Sequence, residues 1–220
     1  LVILVLFALQ VVLVLALLLT EIAALQWLLL LHAAISFTLS AVVLWGASDR
    51  GPQPAVLGAG ELAVLIAVAE ELGELQQVEL WTVALGAASV GDAGMRHLLD
   101  RYPFAAETCF INLHHMTSGQ PVFVTREGLL REHRSNRRLL ALASEADAAD
   151  VSINAEPRRL RRRTLAALPL RAGFRTITIP THADVVGLAS PGPATLERCV
   201  KLIVGMVREL DDEPGGVDDR

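Results

Sequence analysis

Residues 78–99 read VELWTVALGAASVGDAGMRHLL. Positions 78–85 are rich in β-branched and large apolar residues and stop at Gly86, which predicts a strand. A short Ala-Ser-Gly stretch follows. From Asp92 an apolar pattern of helical period carries on to Tyr102, where Pro103 ends it. A strand, a tight loop and a helix in that order form the repeating unit of an α/β domain, and the rest of the chain can be read outward from this unit.

Towards the C-terminus, strands are predicted over 108–113, 121–125, 151–154 and 175–179. Helices are predicted over 129–146, over 161–172 before Gly173 with Pro169 limiting the last turn, and over 193–210 with Pro193 in the first turn. Towards the N-terminus, 61–72 predicts a helix with Leu62, Leu65, Ile66 and Ala69 on its apolar face and Gly73 closing it. Residues 41–45 predict a strand ending at Gly46. Alternation of this kind implies an α/β fold: a mostly parallel sheet with helices on both faces. Ligand sites in such sheets lie at the carboxyl ends of the strands, here 46–50, 86–91, 114–119 and 180–184.

Charge is distributed unevenly. Through Trp45 the only ionisable side chains are Glu21 and His32; all 19 Lys and Arg and the other 23 of 24 Asp and Glu lie beyond. Residues 1–19 are apolar except for Gln10 and would span just under 30 Å as a helix, about the thickness of a bilayer core. After Thr20 and Glu21 the apolar run resumes, so 1–40 reads as a membrane segment of one or two helices, with the lipid bilayer as its partner. No basic residue before Arg50 orients it. The expected plan is thus 1–40 membrane segment, 41–210 α/β domain and 211–220 acidic tail. The net charge of −5 argues against nucleic-acid binding. Cys109 and Cys199 are not spaced as a zinc or redox motif.

The strand-end segments carry a family resemblance. Residues 78–99 resemble the v-x-f-v-x-f-G-A-E-E-x-G-x-x-G-S segment of the di-zinc aminopeptidases, metallopeptidase family 28. FINLHHMTSG at 110–119 resembles their I-N-L-D-M-x-G, and LRAGFRTITI at 170–179 their L-x-x-G-I-P-x-I-x-I. Residues 41–49 are similar to the strand running into A-H-x-D, and 61–72 to the helix after G-A-D-D-N. The resemblance covers 41–210. It implies an aminopeptidase-like fold and, in intact members, two zinc ions held by imidazoles and carboxylates, with a Glu as general base on the bridging water.

At the chemically demanding positions the sequence departs from the family. Ala47 stands at the first ligand His, and Val56 or Leu57 near the bridging Asp. Ala88 and Ser89 replace the Glu pair, and His114 replaces the Asp of the third motif. His182 matches the last ligand His, and Asp49 the Asp that follows the first. One matched ligand cannot hold two metals, and neither Ala88 nor Ser89 can take a proton from water at neutral pH. The resemblance therefore implies a catalytically inactive homologue that serves as a binding or structural module, its partner a peptide or a membrane protein, and holds no cofactor. A residual aminopeptidase with one zinc on His114, His115 and His182 is the alternative, although adjacent histidines on a continuing strand would point to opposite sides.

Ser89 supports another class of chemistry. Lying between a predicted strand and a predicted helix, it has the context of a nucleophile elbow, and with Asp147 or Asp150 and His182 it would follow Ser–Asp–His order. A Ser before a helix is also an ordinary N-cap. The arginines at 158, 159, 161, 162 and 163 read either as a site for acidic head groups or as a solvated helix start.

Overall fold

The computed structural model describes residues 11–12, 23–48, 58–86, 92–128, 131–182 and 192–213. The chain divides into two compact units, Leu1–Pro52 and Gln53–Arg220.

The described part of the first unit is one long helix, α1 (Ala23–Ser48), which carries no acidic residue in its first turn and no basic residue in its last. The strand expected over 41–45 is part of this helix. Two adjacent valines cost a helix only a few tenths of a kcal/mol each, and no proline interrupts the run. Among the residues described down to their side chains, no helix is long and apolar enough to cross a membrane.

The second unit is a mixed α/β domain. Its elements are α2 (Ala59–Leu72), α3 (Ala93–Arg101), β1 (Cys109–His114), β2 (Gln120–Glu127), β3 (His133–Arg134), α4 (Arg137–Ala149), β4 (Glu156–Leu160), α5 (Ala167–Arg171), β5 (Arg175–His182) and α6 (Pro193–Asp212). The strand order is β1-β5-β2-β3, with β4 also paired to β2. Strand β1 runs parallel to β5 from Cys109↔Arg175 to His114↔Pro180, and β2 runs parallel to β4. The β2–β5 and β2–β3 pairings are antiparallel. The expected mostly parallel sheet is therefore mixed. Only five residues link β1 to β2, far too few for a crossover, so the chain must reverse.

The sheet separates its faces by alternation. Ile177 and Ile179 of β5 join Val64 of α2, Leu139 of α4 and Leu202 of α6 in the core. The intervening Thr176 and Thr178 are equally buried but point to the other face, where residue 164, just before α5, meets Thr178. Helices thus flank the sheet on both sides. Two core helices approach closely: a Cβ on Gly205 of α6 would lie 2.8 Å from Ala146 Cβ of α4.

Several expected elements shift. Residues 78–85 join no ladder; the N–H groups of Gln76, Gln77 and Val78 are instead taken by the carboxylate of Asp211 (2.6–3.0 Å). Asp211, read as the start of a tail, thus lies in the last turn of α6 as a clamp. Helix α2 buries Gly60, Val64, Val68 and Leu72, whereas Leu62 and Ile66 of the expected face are exposed. This helix is apolar nearly all round, so periodicity cannot choose its inner face. Helix α4 begins at 137 rather than 129, because the Asn136 side chain caps it by accepting from the N–H groups of Arg138 and Leu139. The strand expected over 151–154 is a turn, in which the Ser152 N–H donates to Asp150 Oδ1, and pairing begins at Glu156. The helix expected over 161–172 shrinks to α5, with Arg158 and Arg159 on β4. Both cysteines are free thiols.

Candidate functional site

The carboxyl ends of parallel β1 and β5 lie side by side. His114 ends β1, and His115 then takes a left-handed backbone conformation (φ 51°), uncommon for a residue with a side chain. That turn breaks the alternation expected for a continuing strand. The two imidazoles meet edge to face with centroids 4.3 Å apart and do not point to opposite sides. The loop they open is fixed from two directions. The Thr117 N–H donates to Thr181 Oγ1 (2.7 Å), and the Thr181 hydroxyl lies 3.0 Å from the His115 carbonyl oxygen. The Met116 N–H donates to Glu61 Oε1 in the first turn of α2 (3.2 Å).

His114 Nε2 is buried and meets no hydrogen-bond partner among the described residues. Burial holds its pKa well below the ordinary histidine value, and the neighbouring His115 and Arg162 push the same way. Burial and Arg162 also lower His115, with Glu61 opposing them. Both rings are therefore neutral at physiological pH.

A buried polar cluster that sequence reasoning did not single out lies on the same sheet face. Glu127 is 1% exposed. Its Oε2 accepts from the hydroxyls of Thr164 (2.7 Å) and Thr178 (2.9 Å), while Oε1 is buried without a partner among the described residues. Asn112 Nδ2, on β1, lies 3.3 and 3.4 Å from the same two hydroxyls. A bulge in β2 places Glu127 there. Between Val124↔Arg158 and Arg126↔Arg159 one extra residue, Thr125, enters the strand, and strict alternation from Val122 would have put residue 126 on this face. The run TITIPT at 176–181 was the available signal, since threonines at alternate positions of a central strand predict a polar inner face.

His182 closes β5 opposite Gln120 and is exposed. The pKa of nearby Glu156 is lowered, chiefly by hydrogen bonding to Arg158. The acids of the Ser–Asp–His arrangement have other roles: Asp147 Oδ1 accepts from the Ala155 N–H (2.6 Å), and Asp150 caps its own turn and lies 3.6 Å from Lys201. Asp49, Val56, Leu57, Ala88 and Ser89 lie outside the described residues, and Ala47 falls within α1. The arginine run is engaged in ion pairs, Arg158 with Glu156, Arg159 with Glu132 and Arg163 with Asp92. Among the described residues no three His, Cys, Asp or Glu side chains converge as a metal site. A neutral ring packed against its neighbour at 114 does not fit the carboxylate place of a zinc pair.

No protein-family model and no curated protein matches the sequence. Among solved structures, the chain is similar to a TET aminopeptidase from a marine sediment archaeon of the Thaumarchaeota, with 14% identity and a TM-score of 0.50. The match covers 70% of this chain and 48% of that one, so the chain spans less than half the length of that enzyme. A 5'-methylthioadenosine/S-adenosyl homocysteine nucleosidase from Campylobacter jejuni aligns with 9% identity and a TM-score of 0.43, over 69% of this chain and 94% of that one. The first likeness shows an aminopeptidase-like fold.

Proposed function

We propose that this protein is a membrane-anchored, catalytically inactive relative of the zinc aminopeptidases, which binds a peptide or a membrane protein at the carboxyl ends of β1 and β5. One observation carries the reading. Where the resembled family has a metal-ligating Asp, this chain has a buried, neutral His114 packed against His115. An uncharged ring cannot offset the charge of a metal pair as a carboxylate does, and Ala88 and Ser89 leave the general-base position without a carboxylate. The loop from His114 to Thr117 is nonetheless held by α2 and β5, as a preformed binding surface requires.

Anchoring rests on the N-terminal unit. Helix α1 is 26 residues long, about 39 Å at 1.5 Å per residue, and contains no Asp, Glu, Lys or Arg. Trp27 and Phe37 on it are 74% and 77% exposed, apolar surface that a bilayer would cover.

The test is metal analysis of the purified full chain together with an aminoacyl-p-nitroanilide assay. The expected result is no stoichiometric zinc and no turnover. Stoichiometric zinc with turnover abolished by His182→Ala would establish a residual aminopeptidase instead, and covalent labelling of Ser89 by a fluorophosphonate would establish a serine hydrolase. Retention of the chain in the membrane fraction after alkaline carbonate washing is expected, and its release would overturn the anchor.

A further inference from the structure

Five of the ten aromatic residues of the chain form one connected cluster in the second unit. Trp81 meets Tyr102 and Phe104 edge to face, with centroids 5.4 and 5.8 Å apart. Phe104 meets Phe110 at 5.3 Å, and Phe110 meets Phe174 at 5.2 Å. The cluster is not core. Trp81 is 50% exposed and Tyr102 43%, and Leu80 and Val83 beside Trp81 are exposed too. Large rings left in water in one patch mark a surface that something covers.

Position and chemistry indicate what covers it. Phe110 is the second residue of β1 and Phe174 directly precedes β5, so the patch lies at the amino ends of the parallel strands, away from His114 and Thr181. Its two exposed rings are the amphipathic ones: Trp81 donates its indole N–H to Glu79 (2.7 Å), and Tyr102 carries the only phenol in the chain. Trp and Tyr favour the head-group layer of a bilayer. Arg101 adjoins Tyr102 in sequence and Glu79 holds the Trp81 indole, so the patch carries both signs of charge, while Arg175 is turned to Cys109 on the other face of β5. Helix α1, without Asp, Glu, Lys or Arg, supplies the bilayer, and to that extent the inference rests on the anchoring reading above.

We infer that the Trp81–Tyr102 patch seats the α/β unit on a bilayer surface. The carboxyl ends of β1 and β5 are then directed to water, where a partner can reach them.

The experiment uses the full chain carrying Trp27→Phe and Trp45→Phe, so that Trp81 is the one indole, reconstituted into vesicles of phosphatidylcholine and phosphatidylglycerol in equal amounts. Acyl-brominated versions of both lipids serve as the quencher. The expected result is flotation with the vesicles, a blue shift of Trp81 emission and its loss in brominated vesicles. Flotation with unquenched emission overturns the inference and leaves the anchor standing; this is also what burial of the patch against a second copy or a soluble protein would give. Failure to float overturns both. If the double variant misfolds by circular dichroism, the quenching of the natural chain is compared with that of Trp81→Phe, and equal quenching overturns the inference.

Discussion

Thr178 shows how much a single hydroxyl can organise. It is fully buried, donates to Glu127 and lies within reach of Asn112 and Thr164, so three elements depend on it. Replacing it with valine keeps the shape and strands one bond of a buried carboxylate. Thr178→Val is expected to lose about 1–3 kcal/mol in urea unfolding, the cost of a buried polar group left short of a partner. Cys199 is the opposite case: burial pushes its thiol up to about 12. Alkylation by iodoacetamide at pH 8 should therefore leave Cys199 unmodified until the chain is unfolded, as read by mass spectrometry. At this scale the sequence exposed the candidate site only in part. His114 and His182 stood out because they fall at metal-ligand positions of the family the sequence resembles. The contact between the His114 and His115 rings did not, because it depends on one positive φ that no residue type at 115 announces. Glu127 was invisible for a related reason: its face is decided by a single inserted residue in β2.

At the scale of elements, α6 makes two contacts that single substitutions can test. Gly205 lets this helix lie against Ala146 of α4, and a side chain there would overlap that methyl group. Gly205→Leu is expected to cost about 1–3 kcal/mol through overpacking, visible as a lower denaturation midpoint, with Gly205→Ala milder. The last turn of α6 holds Asp211 against three backbone N–H groups, which lower its carboxyl pKa. A depressed folded-state pKa gives stability that is present above the unfolded value, about 3.9, and lost as pH falls through the folded value. The stability difference between the natural chain and Asp211→Ala should therefore be constant from pH 7 to 5 and shrink below about pH 4. A difference unchanged down to pH 2 would show that the carboxylate contributes nothing. Element types were legible wherever a period was clean, as for α6 and β5. They failed where a local hydrogen bond overrode the pattern: the Asn136 cap moved α4, the Asp150 turn displaced β4, and Asp211 took the amides that begin the expected strand at 78.

For the molecule as a whole, the alternation of strands and helices was enough to name an α/β domain but not its pairing. The short link from β1 to β2 forces a reversal, and the antiparallel β2–β5 contact follows from it. Helix α6 is the last described element, yet it packs on α2, on α4 and against β2 of the sheet. A chain ending at residue 191 is expected to show no cooperative thermal transition, because Leu202, Met206 and Val207 would be missing from the core. The same placement governs birth on the ribosome. Synthesis adds roughly 5–20 residues per second, and until α6 follows, Ile177 and Ile179 have Val64 and Leu139 beside them but lack Leu202 and Met206. Until α6 emerges, the nascent domain exposes its stickiest surface, so its need for a chaperone should fall once that helix has left the ribosome.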